Sequence, residues 1–336
     1  HRPRASDGAV IMLDDDLDLR LLNDFQRDLP LVPQPFASIA ARLGTHEAEV
    51  IARLRRLQDG GRIARVGATC RPNTAGASTL AALQVPPARI DEVAALVSDE
   101  PGVNHSYLRE GDWNLWFVAT APDARKLAAS LARIEAATGL TVLSLPLVRA
   151  FNIDLGFPLD GPRRSMALDR PADLSVLRPG DAALMQALST GLSLEPRPFA
   201  ALARSLHMPE AGIIERIDTL ARARLLTRVG VIVKHRALGW RENAMVVWQL
   251  PDAAIPAAGV ALSAIPGVTL CYQRRAVPGV WDWPLFCMIH ARSRPEAMAV
   301  LDQARALPEL AGVDHRILFS TRCFRQRGAT ITEAAA

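Results

Sequence analysis

Pro33-Gln34-Pro35-Phe36-Ala37-Ser38-Ile39-Ala40 returns 163 residues later as Pro196-Arg197-Pro198-Phe199-Ala200-Ala201-Leu202-Ala203, and that recurrence decides the fold. The same offset carries Arg65-Val66-Gly67 onto Arg228-Val229-Gly230. An offset of 165 carries Pro101-Gly102-Val103 onto Pro266-Gly267-Val268, and Tyr107-x-Arg109 onto Tyr272-x-Arg274. Asp112-Trp113-x-Leu115 then matches Asp282-Trp283-x-Leu285 after an insertion around Val277–Val280. Matches that keep their order and drift only at loops identify a fused pair of homologous modules. Between them, residues 156–180 are rich in Pro, Gly, Arg and Asp without periodicity and read as a linker.

Within each half the apolar period changes once. Leu17, Leu21, Leu22 and Phe25 are spaced for a helix over Asp16–Arg27, and Pro35–Leu43 is a short helix ending at Gly44. Thr45 is the expected N-cap of a third helix, Glu47–Gln58, with Val50, Ile51, Leu54 and Leu57 on one face. Followed by Gly60-Gly61-Arg62-Ile63, this reads as a winged helix-turn-helix, repeated over Phe199–Leu206 and Pro209–Arg222. The period then becomes two. Ser78–Val85, Val103–Arg109, Trp113–Thr120 and Thr141–Val148 are strands, with helices at Pro87–Ser98 and Asp123–Ala137. That β-α-β-β-α-β order is a ferredoxin-like unit. It recurs as Ala244–Leu250, Ala254–Ala264, Val268–Arg274, Trp283–His290, Pro295–Ala306 and Val313–Phe319. The expected class is α+β, two tandem copies of winged helix-turn-helix plus ferredoxin-like domain forming an intramolecular pseudo-dimer. The expected boundaries are a tail at 1–13, then 14–68, 69–155, the linker at 156–180, 181–231, 232–326 and a tail at 327–336.

Composition narrows the classes. With 49% hydrophobic and 22% charged residues the 336-residue chain has the balance of a globular protein. No apolar run reaches the roughly 18–20 residues of a membrane helix, and no signal-type h-region opens the chain. Four isolated cysteines without a C-x-x-C pair suggest neither zinc nor a redox couple and point to a reduced cytoplasmic compartment. Of 39 basic residues only Lys126 and Lys234 are lysines, leaving 37 arginines, whose guanidinium forks suit carboxylates and phosphates. Nucleic acid and a polyanionic small molecule both remain as partners.

A winged helix followed by a ferredoxin-like domain resembles the Lrp/AsnC family of transcription regulators. A narrower resemblance lies in Arg65-Val66-Gly67-Ala68…Arg71-Pro72-Asn73-x-x-Gly76-Ala77-Ser78-Thr79-Leu80 and in Val103-Asn104-His105-Ser106-Tyr107-x-Arg109 followed by Asn114-Leu115-Trp116-Phe117. These blocks are similar to the first-half pattern of the sirohaem decarboxylases, the Nir D/L/G/H and Ahb A/B proteins. Lys234-His235-Arg236…Gly239-x-Arg241-x-Asn243, Cys271-Tyr272-x-Arg274 and Trp283-Pro284-Leu285-Phe286-Cys287-Met288-Ile289-His290 resemble the partner subunit, so the order resembles a D–L fusion. Ala291 departs from the pattern, standing where the family has glycine. The resemblance spans about residues 14–326 and implies a carboxy-lyase. Its reaction removes CO2 from two acetate side chains of sirohaem, giving didecarboxysirohaem for haem d1. It implies no cofactor beyond the iron the substrate carries, and either further G/H-type subunits or a homodimer as assembly.

Loss of CO2 leaves an electron pair that the macrocycle must accept, and the methylene then takes a proton. A general acid is therefore needed, and histidine suits it. His105 shares a strand face with Tyr107 and Arg109 by period two, and His290 ends a strand. Their repeat equivalents are Leu270 and Thr120, so symmetry is lost at both, which is what one catalytic site in a two-module fold would look like. On the resemblance these two histidines are the catalytic candidates. Arg71, Tyr107, Arg109, Lys234, His235, Arg236, Arg241, Tyr272, Arg274 and Arg275 form the candidate carboxylate-binding wall. No metal site of the protein's own is expected. Cys271, Cys287 and Cys323 read as small apolar groups, with a thiolate ligand to iron left open. The competing readings are a DNA-binding regulator and a non-catalytic haem sensor. Against the regulator, the candidate recognition helix opens with Glu47 and Glu49, although Arg53, Arg55 and Arg56 are available for phosphates.

Overall fold

A computed structural model of the chain describes residues 16–72, 74, 76–152, 170–234 and 239–326. The first half runs α1 (Asp16–Asp24), α2 (Pro35–Leu43), α3 (Glu47–Asp59), β1 (Ile63–Cys70), β2 (Ala77–Leu83), α4 (Ile90–Asp99), β3 (Val103–Arg109), β4 (Leu115–Ala121), α5 (Ala124–Thr138), β5 (Leu143–Leu145) and β6 (Leu147–Asn152). The second runs α6 (Asp181–Thr190), α7 (Pro198–Ser205), α8 (Glu210–Arg222), β7 (Leu226–Val233), β8 (Glu242–Trp248), α9 (Ile255–Ser263), β9 (Val268–Arg274), β10 (Leu285–Ala291), α10 (Arg294–Arg305) and β11 (His315–Gln326). Among the described residues no helix is long and apolar enough to cross a membrane.

Local chemistry explains most of these limits. Pro35 starts α2, where its missing N–H costs nothing, and Phe36, Ile39, Ala40 and Leu43 form its buried stripe. Gly44 ends it at φ +70°, a conformation that favours glycine. The N-cap of α3 is His46 rather than the expected Thr45, whose N–H instead bonds the Ala40 carbonyl in closing α2. Asp123 caps α5 and Ser293 caps α10 through side-chain oxygens.

The two helix-turn-helix units share one core, in which Phe36, Leu54 and Leu22 join Phe199, Leu220 and Leu188. Each half adds only one strand to the wing, so no local hairpin forms; β1 pairs antiparallel with β7 of the other half. The halves also exchange their entries. Leu192 N–H bonds Val66 O, and at the corresponding places Leu29 N–H bonds Val229 O and Val231 N–H bonds Phe25 O. The repeated glycine of Arg-Val-Gly follows from this exchange. A Cβ on Gly67 would strike the Leu188 carbonyl, and one on Gly230 the carbonyls of Phe25 and Gln26. A buried ion pair repeats too: Asp18 holds Arg53 at 3.0 Å and Arg56 at 3.1 Å, and Asp181 holds Arg216 at 2.6 Å.

The ferredoxin-like units merge into one nine-stranded sheet, β5-β2-β4-β3-β11-β8-β10-β9-β6. The strand expected to end at Phe319 continues to Gln326: residues 315–319 pair with β8, and Ser320 onward pairs with β3 of the first half. Likewise β5 pairs with β2, while β6, one residue beyond Pro146, pairs with β9 of the second half. Proline has no N–H for a ladder, which suits it to the change of partner. The two ends of the sheet are thus consecutive stretches of chain, and the sheet wraps around a central space. Its outer faces pack under α4, α5, α9 and α10. The inner faces from both halves meet in a cluster that includes Trp116, Leu145, Met245, Phe286 and Leu318. Trp116 and Trp281 touch edge to face, with ring centroids 5.1 Å apart.

Candidate active site

A cavity of about 400 Å³ lies between the β1–β7 ribbon and the inner sheet faces, within the size range of ligand pockets. Arg71, His105, Tyr107, Arg109, Tyr272, Arg274 and His290 all line it. Leu80, Trp116, Met245, Phe286 and Met288 supply flat apolar wall. Five arginines face this space, with Arg65 and Arg228 added from the ribbon, and no Asp or Glu lines it among the described residues. An apolar chamber lined by guanidinium groups suits a polyanion with a large hydrophobic face.

The two histidines arrive by different strands. In β3 and β4, His105 pairs with Val118; in β9 and β10, Leu270 pairs with Met288, so Leu270 occupies the place of His105. Across the next ladder Ser78 opposes Thr120 and Asn243 opposes His290, which makes Thr120 the counterpart of His290. All four residues line the cavity. Each half therefore carries one imidazole at its inner end, on β3 in the first and on β10 in the second. Burial, followed by the Arg65 charge, pulls His105 down to about 4 from the usual 6.5, leaving it neutral at neutral pH. His290 is buried, with Nδ1 2.7 Å from Thr269 Oγ1. The Thr269 hydroxyl donates to Met288 O at 3.1 Å, so its oxygen accepts from His290 Nδ1–H. That tautomer commits Nδ1–H to Thr269 and makes Nε2 the acceptor nitrogen of the neutral ring.

Arg109 and Arg274 keep repeat symmetry. Each guanidinium lies over the tyrosine two residues earlier, at 5.3 Å from Tyr107 and 5.1 Å from Tyr272. Each donates to the corresponding carbonyl of a last strand, Leu318 O at 3.3 Å and Leu145 O at 3.0 Å. They differ in one contact: Arg109 also donates to Asn243 Oδ1 at 3.3 Å, across the boundary between the halves. Arg274 has no such partner, its buried Nε makes no hydrogen bond, and burial lowers its guanidinium to about 10.

Other expected wall residues stand elsewhere. Arg275 is exposed, because side chains alternate along β9 and Arg274 takes the inward position. Arg241 precedes β8 and is also exposed, and Lys234, just past the end of β7, does not line the cavity. His235 and Arg236 lie outside the described residues. Cys271, Cys287 and Cys323 are not in the cavity either; burial raises Cys287 to about 12. His315 is half-buried against Trp248, with ring centroids 5.0 Å apart. Four site residues escaped the sequence reading: Arg65, Arg228, Asn243 and Thr269. The repeated Arg-Val-Gly held the signal for the arginines, but only the ribbon's position over the cavity shows where they face.

The family models matching this chain are the siroheme decarboxylase NirDL-like HTH domain, over residues 18–63 and 181–226, and the AsnC-like ligand binding domain, over 75–152 and 237–325. The siroheme decarboxylase NirDL subunit of Paracoccus denitrificans is 78% identical over 322 residues, covering 96% of this chain and 99% of that protein. The siroheme decarboxylase NirD subunit of Stutzerimonas stutzeri is 50% identical and covers 44% of this chain and 97% of its own length. A crystal structure of the siroheme decarboxylase NirDL has a TM-score of 0.67 at 25% identity, over 94% of both chains.

Proposed function

The chain belongs to the sirohaem decarboxylases of the NirDL type, and from that premise we propose that it removes CO2 from the acetate side chains of sirohaem inside the cavity just described. The observation that carries this reading is the lining itself: five arginines, no carboxylate, two inward histidines and an apolar wall. The rim carboxylates of the tetrapyrrole meet guanidinium groups, and its macrocycle lies on the apolar wall, where Trp116, Met245 and Phe286 exclude water.

Each cycle breaks one C–C bond, releases CO2 and leaves its electron pair in the ring system; one proton is taken up and a methyl group remains. The substrate's macrocycle is the electron sink and brings its own iron, so the chain contributes positioning, electrostatics and protons. His290 Nε2, oriented through Thr269, and His105 are the two proton donors. A neutral His105 becomes protonated as a substrate carboxylate approaches, because the anion favours its charged form. Placing one imidazole in each half suits a substrate that reacts at two side chains. Haem d1 formation is the use this product would serve. The free thiols fit a reducing compartment.

Anaerobic incubation of the purified chain with sirohaem, followed by product mass, tests the proposal. Loss of two CO2 is expected. Tight binding with unchanged mass would instead favour a haem sensor. The regulator reading loses ground on structure, since the arginines of α3 are engaged: Arg53 and Arg56 with Asp18, and Arg55 with Leu194 O at 2.6 Å.

A further inference from the structure

We infer that the paired wing strands serve as the roof of the substrate site, with Arg65 and Arg228 clamping one carboxylate group of the tetrapyrrole between them. The inference rests on the proposed function and adds a binding element from the helix-turn-helix units.

The two arginines are repeat equivalents on strands β1 and β7, which pair across the pseudo-dyad, and both line the cavity. Arg228 is buried, and among the described residues its side chain makes no hydrogen bond or ion pair. Arg65 donates once, to Ala68 O at 3.1 Å, and its Nε is buried without a partner. Neither guanidinium meets a carboxylate among the described residues, whereas the half-buried Arg53 and the buried Arg216 of the helices are both neutralised by aspartates. The two cations stand on either side of the Gly67–Gly230 rung, Arg65 opposite Ile232 and Arg228 opposite Thr69, and both face the cavity. Burial and then the charges of Arg27 and Arg65 push Arg228 down to about 9. A buried cation without a partner is costly, so it persists where a ligand completes it. The ligand chemistry is a carboxylate, because a guanidinium fork binds its two oxygens side by side. Of the remaining arginines of the lining, Arg71 follows β1, and Arg109 and Arg274 stand on strands of the sheet. The roof thus adds a third direction of contact and fixes the tilt of the ring over the two histidines.

The test uses the full chain with Arg65→Met and Arg228→Met, which keep the apolar stems, and Arg228→Lys. Sirohaem affinity is read by equilibrium absorbance titration, and the fold by thermal unfolding without ligand. Each Met variant should weaken sirohaem binding about ten- to a hundred-fold. The ligand-free chain should melt no lower, and for Arg228→Met higher, because a disfavoured charge is removed. Arg228→Lys should recover part of the affinity. Unchanged sirohaem affinity in both Met variants overturns the inference. If inorganic phosphate stabilises the wild type and not these variants while sirohaem affinity stays the same, the roof is a small-anion site and the inference also fails. Equal losses of melting temperature and affinity, not recovered by lysine, would assign the arginines to folding. A wild-type chain that does not bind sirohaem overturns the functional reading as well, which separates the two failures.

Discussion

His105 should make the ligand-free chain unusually sensitive to mild acid. Its imidazole sits at about 4 in the fold against about 6.5 in an unfolded chain. With a basic group whose folded value is depressed, the unfolded chain binds the extra proton first, so stability is lost as pH falls below about 6.5. Linkage gives a loss of about 2 kcal/mol at about pH 5 and about 3 kcal/mol once pH is below about 4. His105→Gln removes this titration while keeping a polar side chain of similar length. Urea unfolding of both proteins from about pH 8 to about pH 5 should show a steeper loss for the wild type, by about 2 kcal/mol. Substrate reverses the balance. A carboxylate roughly 4 Å from the imidazole at an effective dielectric of about 20 contributes about 4 kcal/mol, near 3 pH units. Sirohaem binding should therefore take up about half a proton through His105 at about pH 7 and close to one at about pH 6, measurable by calorimetry in buffers of different ionisation enthalpy. Parallel stability curves for the two proteins, or the same proton uptake by His105→Gln, would refute the reasoning.

His290→Ala should lower single-turnover decarboxylation roughly 10²–10⁴-fold with sirohaem binding retained, and Thr269→Val should give a smaller loss through imidazole orientation. The His105→Ala/His290→Ala double variant should lose less than the product of the single losses if one reaction centre is served; near-normal rates in both singles sink the assignment. Arg274→Ala should weaken sirohaem binding by about 1.5–3 kcal/mol, and more than Arg109→Ala, whose fork is already committed to Asn243. Equal titration curves for the two variants would remove that distinction. On DNA, the engaged arginines of α3 predict no specific site, so a salt-resistant footprint on the chain's own promoter region would restore the regulator reading.

Legibility in the sequence followed the range of the forces involved. The helices α2 and α8, the strands β3 and β9 and the inward face of His105, Tyr107 and Arg109 were readable, because backbone period and side-chain alternation are local properties. Arg275 was misread for lack of that same alternation: adjacent residues of a strand cannot share a face. Thr45 was misread because one residue decides a cap and helix limits are soft.

The duplication, the order of elements and the pairing of Tyr with Arg two residues apart were determined by the sequence alone, since each is a comparison of the chain with itself. Tertiary structure alone decided that β6 and β11 leave their own halves to pair with the other. Beyond Phe319 the residues are Ser320, Thr321 and Arg322, and polar residues on a strand do not announce a partner. It also decided that Arg65 and Arg228 look into a cavity, and that His105 and His290, 185 positions apart, line the same one. Those placements depend on how the strands of the two halves join into one sheet, and contact between distant segments has no signature in the period of either.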